Sequence, residues 1–167
     1  MTIPELRGAR LTLRGFREAD LDAFAAMQAD PEVMRFLGPT GLPRGRAETW
    51  QTMAMLLGHW QLRGFGLWAV EHEGRFVGRV GWLEPEGWPA RELAYALARP
   101  AWGQGLAFEA ASAALAWGRS RWPGLKLASF IRPENEPSRR LAAKLGARCA
   151  GRIELMGGVA EEWRHGP

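Results

Sequence analysis

Several residue types are scarce in this 167-residue chain, and each scarcity excludes something. The single cysteine, Cys149, rules out an intramolecular disulfide and any cysteine-rich metal cluster, and it suits a reducing compartment, so a cytoplasmic protein is expected. Three histidines, His59, His72 and His165, lack metal-ligand spacing, and no metal is expected. No apolar run approaches the ~20 residues that span a bilayer, and the opening MTIPELRGAR lacks the apolar core of a signal peptide, so membrane insertion is not expected. There is no polar low-complexity tract. With 47% hydrophobic and 24% charged residues, disorder, collagen-like repeats and coiled coil are poor readings. The length fits one domain over residues 1–167, able to bury a core without disulfides or metals.

Lysine is also scarce: 20 arginines stand against Lys126 and Lys144, for a net charge of +4. Between Arg119 and Arg152 nine basic residues face only Glu134 and Glu136, a local +7, and the remainder sums to −3. Such concentration points to an anionic ligand, either a nucleic acid or a phosphorylated small molecule, or else to a solvated Arg-rich surface. The chain lacks an RNA-recognition or helix-turn-helix signature and interleaved aromatics, which argues against direct nucleic-acid binding.

Hydrophobic periodicity predicts a strand over Leu11 to Arg17, with Thr12 and Arg14 as its polar positions, and a helix that stops at Asp30-Pro31, with one more turn over Glu32 to Leu37. A longer helix carrying Trp50, Met53, Ala54 and Leu57 ends near Gly64. Strands Gly66 to Glu73 and Arg75 to Glu84 form a hairpin across Glu73-Gly74, followed by a strand at Arg91 to Ala98. A helix opens after Trp102 to Gly105, a strand spans Leu125 to Ile131, and a helix spans Asn135 to Leu145 with Asn135 as N-cap. Two last strands, about Arg148 to Met156 and Val159 to Arg164, join across Gly157-Gly158. The order βααβββαβαββ implies an α/β (α+β) fold, a mixed central sheet with helices on both faces.

Two stretches carry possible chemistry. In Trp102-Gly103-Gln104-Gly105-Leu106-Ala107, small residues at a strand-to-helix turn let backbone N–H groups approach a pyrophosphate, although any such turn can carry two glycines. The dinucleotide fingerprint fails because its third glycine is Phe108, and the P-loop fails because no Gly-Lys-Ser/Thr follows. The second stretch places Asn135 and Ser138 in the first turn of one helix, followed by Arg139, Arg140 and Lys144; a capped, solvent-facing basic helix is the structural alternative.

Together these stretches resemble the GNAT superfamily of acyl-CoA-dependent acetyltransferases, and within it the RimJ/RimL-like branch. The resemblance covers nearly the whole chain, from Arg10-Leu11-Thr12-Leu13-Arg14 and Asp30-Pro31-Glu32-Val33-Met34-Arg35-Phe36-Leu37-Gly38 through Glu92-Leu93-Ala94-Tyr95-Ala96-Leu97 and the glycine loop to Asn135, Ser138 and Lys144-Leu145-Gly146. Trp102 stands where the wider superfamily usually has Arg or Gln.

The resemblance implies a single-domain fold in which acetyl-CoA lies in a splay between two central parallel strands, here Arg91 to Ala98 and Leu125 to Ile131. Backbone groups of Ala96 and Leu97 would meet the pantetheine and thioester, the amides of Trp102, Gly103, Gln104, Gly105, Leu106 and Ala107 the pyrophosphate, and Arg139, Arg140 or Lys144 the ribose phosphate. The implied reaction is direct acetyl transfer to a primary amine, with a protein or peptide N-terminus, of the ribosomal-protein type, as first acceptor class. A small-molecule amine and a noncatalytic acyl-CoA-binding module are the alternatives, and the resemblance also admits a homodimer. Glu92 is the first candidate for general base and Glu109 the second, while Ser138 is the candidate proton donor to the leaving thiolate, because Ala142 stands where many relatives carry a tyrosine. Phe36, Trp50 and Trp82, with Met34, Met53 and Trp88, could form an apolar acceptor cleft, and Glu84 and Glu86 could attract the amine.

Overall fold

A computed structural model describes residues 2–166. Strands β1 (Leu6–Arg7), β2 (Leu11–Arg14), β3 (Leu67–His72), β4 (Arg75–Leu83), β5 (Arg91–Leu97), β6 (Leu127–Ile131), β7 (Arg148–Leu155) and β8 (Gly158–His165) form one mixed sheet in the order β1-β2-β3-β4-β5-β6-β8-β7. Only β5 and β6 run parallel. The helices are α1 (Leu21–Ala29), α2 (Pro31–Met34), α3 (Arg46–Arg63), α4 (Leu106–Arg121) and α5 (Glu136–Lys144).

Side chains of β5 alternate between two cores. Leu93 and Leu97, with Tyr95 against them, join Val80, Trp82, Leu106, Ala110 and Leu115 on the face covered by α4. Ala94 and Ala96 pack instead with Phe24, Met27, Met53 and Leu56 on the face covered by α1 and α3. This period of two gives each strand an apolar partner on both sides, so the central strands are buried twice over.

The α4 core is unusually rich in indoles. Trp60, Trp68, Trp82, Trp117 and Trp122 meet edge to face at centroid distances of 4.9–6.1 Å. Trp82 is fully buried, donates Nε1–H to the Ala114 carbonyl at 3.0 Å, and lies so close to α4 that a Cβ on Gly118 would come within 2.4 Å of its ring. Burying one such ring is worth roughly 4–6 kcal/mol, against about 1 kcal/mol for its hydrogen bond. Packing therefore holds Trp82 in the core, and its expected place in an acceptor cleft is corrected.

Arg14, expected as an outward polar position, is also buried. Its guanidinium bonds both Asp20 oxygens at 2.8 Å and Glu71 at 2.6 Å, which ends β2 there and fixes the turn into α1. Asp30 then caps α2 through the Glu32 N–H and receives two hydrogen bonds from Arg99, just beyond β5. That contact ties α2 to the end of β5, where the site lies.

Candidate active site

β5 and β6 pair only at Arg91↔Leu127 and Glu92↔Ala128; beyond those two positions no register joins them. At the fork, Ser129 Oγ donates to the Leu93 carbonyl at 2.7 Å and lies 2.8 Å from His165 Nε2. Burial lowers the His165 pKa to about 4, with the Arg119 charge adding to the effect, so the imidazole is neutral near pH 7. A buried polar clip thus closes the fork, and above it the strands diverge.

Backbone parity decides which groups face the gap. Ala98 N–H points to Val77 of β4, whereas the carbonyls of Leu93 and Leu97 are bonded from the other side, by Ser129 and by Trp102 Nε1. Alternation then aims the backbone of Tyr95 and the Leu97 N–H into the gap and that of Ala96 toward β4. A Cβ on Gly78 would lie 2.5 Å from the Ala96 oxygen, in agreement with that direction. Tyr95, Ala96 and Leu97 all line the cavity, and of the two residues expected to present backbone groups there, Leu97 faces its N–H to the gap whereas the backbone of Ala96 faces β4.

A cavity of about 640 Å³ opens here. Its walls are Glu32, Val33, Arg35, Phe36 and Leu37 on the α2 side, Tyr95, Ala96 and Leu97 of β5, the loop residues Trp102, Gly103, Gly105, Leu106 and Ala107, and the start of α5. Gly103 and Gly105 have φ of 73° and 76°, a left-handed conformation open to glycine that turns successive amides toward the start of α4. Between them Gln104 is outside the wall: its side chain bonds the Pro100 carbonyl, and its own carbonyl accepts from Arg10.

At α5, Asn135 spends Oδ1 on the Ser138 N–H, the N-cap expected. Ser138 Oγ donates to the Tyr95 hydroxyl at 3.2 Å, and that hydroxyl donates to the Ser138 carbonyl at 3.0 Å. Burial pushes the Tyr95 phenol up to about 12, keeping it a neutral donor. Sequence reasoning passed over Tyr95; its uniqueness in the chain and its position two residues from Leu97 were the available signals. Arg140 and Lys144 line the cavity, with Lys144 Nζ 4.3 Å above the Phe108 ring. Arg139 turns away to Glu161 at 3.0 Å, which corrects its assignment to the cofactor.

Glu92 is buried where the fork begins, on the α1/α3 face. Burial raises its carboxyl to about 7, against the pull of Trp88 Nε1–H at 2.8 Å, the Phe130 N–H and the Arg79 charge. It lies four residues below Ala96, ~13 Å along the strand, and does not line the cavity wall.

The other acidic and aromatic candidates lie elsewhere. Although desolvation pushes Glu109 up, Arg10 holds it lower than an ordinary carboxyl through its amide at 2.7 Å and its guanidinium at 2.8 Å, behind the loop; it is corrected as a base. Glu84 pairs with Arg91, itself clamped 4.2 Å from the rings of Phe65 and Trp122, and exposed Glu86 pairs with Arg63. Trp50 sits exposed on α3, outside the cavity. Met34 and Met53 are core residues. Of the expected acceptor aromatics, Phe36 lines the wall and Trp50 and Trp82 do not.

Residues 10–148 match the acetyltransferase (GNAT) domain family. The chain belongs to the GNAT family of acetyltransferases. It is 33% identical over 147 residues to the uncharacterized protein YkkB of Bacillus subtilis, covering 82% of this chain and 81% of that one. The crystal structure of an acetyltransferase from Agrobacterium tumefaciens superposes with a TM-score of 0.87 at 27% identity, over 100% of this chain and 96% of the other. RimL, a ribosomal L7/L12 α-N-protein acetyltransferase solved with coenzyme A, shares the fold at a TM-score of 0.79 and 17% identity, over 96% and 97%. As a GNAT enzyme the chain is an acyltransferase of a family that uses acetyl-CoA, and the forked strands and glycine loop fit that cosubstrate. No helix among the described residues is long and apolar enough to cross a membrane.

Proposed function

We propose that this protein transfers the acetyl group of acetyl-CoA directly to the α-amine of a peptide or protein. One observation carries the reading: β5, which borders the gap, carries a candidate base on one face where the gap begins and has candidate acids against its other face. Tyr95 and Ser138 stand on the α4/α5 side, and Glu92 stands on the α1/α3 side. Such an arrangement lets the amine attack from one face while the thiolate leaves toward the other, a matter of positioning two bound reactants.

Bound acetyl-CoA supplies the activated thioester. The Leu97 N–H is a preorganised donor toward charge developing on the carbonyl oxygen, a contribution of about 3 kcal/mol where geometry is good. Glu92, held near pH 7, accepts the ammonium proton through water. The Ser138 hydroxyl, positioned by its bond to Tyr95, turns to give its proton to the departing sulfur, and solvent returns a proton to Ser138. Amides of Gly103, Gly105, Leu106 and Ala107 receive the pyrophosphate at the start of α4, with Arg140 and Lys144 on the rim. The acceptor class is supported by the shared fold with the RimL enzyme.

The decisive experiment measures coenzyme A release over a panel of peptides and small amines. Turnover on peptide α-amines is expected. Turnover on small amines alone would reassign the acceptor, and tight acetyl-CoA binding without thiol release on any amine would make the protein a noncatalytic acyl-CoA-binding module.

A further inference from the structure

Most arginines near α1 and α3 have partners: Arg14 holds Asp20 and Glu71, Arg46 holds Asp22, Arg63 holds Glu86, and Arg99 holds Asp30. Arg79 is different. It projects from β4 on the α1/α3 face, directly across from Ala96, and among the described residues its side chain makes neither a hydrogen bond nor an ion pair. Its Nε is sealed from solvent with no partner at all. Arg44 lies nearby, bonded only to the neutral hydroxyl of Thr52 at 3.0 Å, and it too has no carboxylate.

Arg79 is only partly exposed, and a guanidinium with a sealed Nε and no anionic partner has lost part of its water, a cost that an anion joining it would offset. Burial lowers the Arg79 pKa to about 10 and the Arg44 charge adds to that, with Glu92 acting the other way. Those three groups sum to +1 when ionised, which matches a singly charged carboxylate better than a phosphate dianion. The position matters as much as the charge. Cross-strand partners have Cα atoms about 5 Å apart, so Arg79 stands one strand away from the Ala96 wall of the cavity and on the face from which the amine approaches.

We propose that Arg79, with Arg44 beside it, binds a carboxylate carried by the acceptor, so that this enzyme selects amines with an acidic group within their first residue or two. This rests on the acetyl-transfer reading above and adds the acceptor's chemistry to it. A guanidinium receives a carboxylate through two parallel N–H bonds, a geometry that lysine lacks.

The test compares peptides identical except for Glu, Gln or Lys at the first position, assayed by coenzyme A release at pH 9, above the value of about 7 at which Glu92 ionises. The wild-type kcat/KM is expected to favour Glu over Gln by about 10- to 100-fold, and Arg79→Gln to bring that ratio close to one. Arg79→Lys should recover it only in part. Acetyl-CoA affinity and melting temperature verify that each variant is folded. Equal wild-type rates for Glu and Gln peptides would overturn the proposal, as would an equal loss for both in Arg79→Gln, which would leave Arg79 only the task of holding Glu92. Absence of turnover on every amine would instead defeat the acetyl-transfer reading. In that case calorimetric binding of the Glu peptide to coenzyme A-loaded protein decides: affinity at least tenfold weaker in Arg79→Gln upholds the site, and no difference removes it.

Discussion

Replacing Glu92 by Gln should make the protein both slower and more stable. The carboxyl has an ordinary pKa of 4.5 and is held near 7 because burial disfavours its charge. The folded state therefore binds more protons than the unfolded chain between those values, so stability falls as pH rises from 4.5 to 7 and stays reduced above. At pH 8 keeping Glu92 ionised costs the fold roughly 3 kcal/mol, which for this length corresponds to a melting temperature lower by about 6–12 °C. Gln keeps an oxygen for Trp88 Nε1 and removes the charge, so at pH 8 the variant should melt higher by up to that amount, and at pH 4 the two proteins should melt together. Catalysis should move the other way. Loss of a general base lowers kcat/KM by about 10²–10⁴-fold, and the pH profile loses its limb near 7, leaving only the limb from the acceptor α-amine at about 8. Differential scanning calorimetry at the two pH values and a pH–rate profile measure both effects. A Glu92→Gln enzyme with wild-type turnover and an unshifted limb would refute the assignment, and an unchanged melting temperature at pH 8 would refute the burial argument behind it.

Tyr95→Phe should lower kcat about tenfold while leaving the KM for acetyl-CoA close to its starting value, and Tyr95→Phe with Ser138→Ala should cost little more than Ser138→Ala alone, because the two hydroxyls act as one unit. Gly105→Ala forces a side chain onto φ 76°, which costs ~1–2 kcal/mol or swings the loop amides away; isothermal calorimetry should show acetyl-CoA binding weakened by about tenfold, or melting should fall by a few degrees. A variant unchanged in both would show that the loop needs no left-handed residue there. For His165 the folded pKa is depressed to about 4 from 6.5, so the unfolded chain binds more protons between these values and stability should fall as pH drops from 6.5 to 4; His165→Gln should flatten that slope in urea titrations.

The parts of this fold that local chemistry dictates were legible in the sequence. Glu73-Gly74 makes the predicted hairpin turn with both residues at positive φ, and Gly64 ends α3 in the left-handed conformation. The second hairpin turns one residue earlier than predicted, at Met156-Gly157, because two consecutive glycines do not say which of them is the turn and which begins the strand. Arg14 read as an outward position because its partners, Asp20 and Glu71, come from other elements. The same cause limited the site. The glycine loop and the α5 cap are contiguous and were placed; Tyr95 and Arg79 matter through strand parity and cross-strand register, which no single segment encodes. Of the local +7, part is neutralised internally: Lys126 holds Glu162, Arg139 holds Glu161 and Arg140 holds Glu136.

The indole lattice beneath α4 has an optical consequence. Rings in near-perpendicular contact at about 5 Å couple their electronic transitions, so the aromatic circular dichroism of this protein should be dominated by an exciton couplet from Trp68, Trp117, Trp122 and Trp82. That couplet reports the docking of α4 on the sheet. Trp102, half-exposed at the cavity mouth and outside the lattice, is left as a separate fluorophore whose emission reports occupancy of the glycine loop.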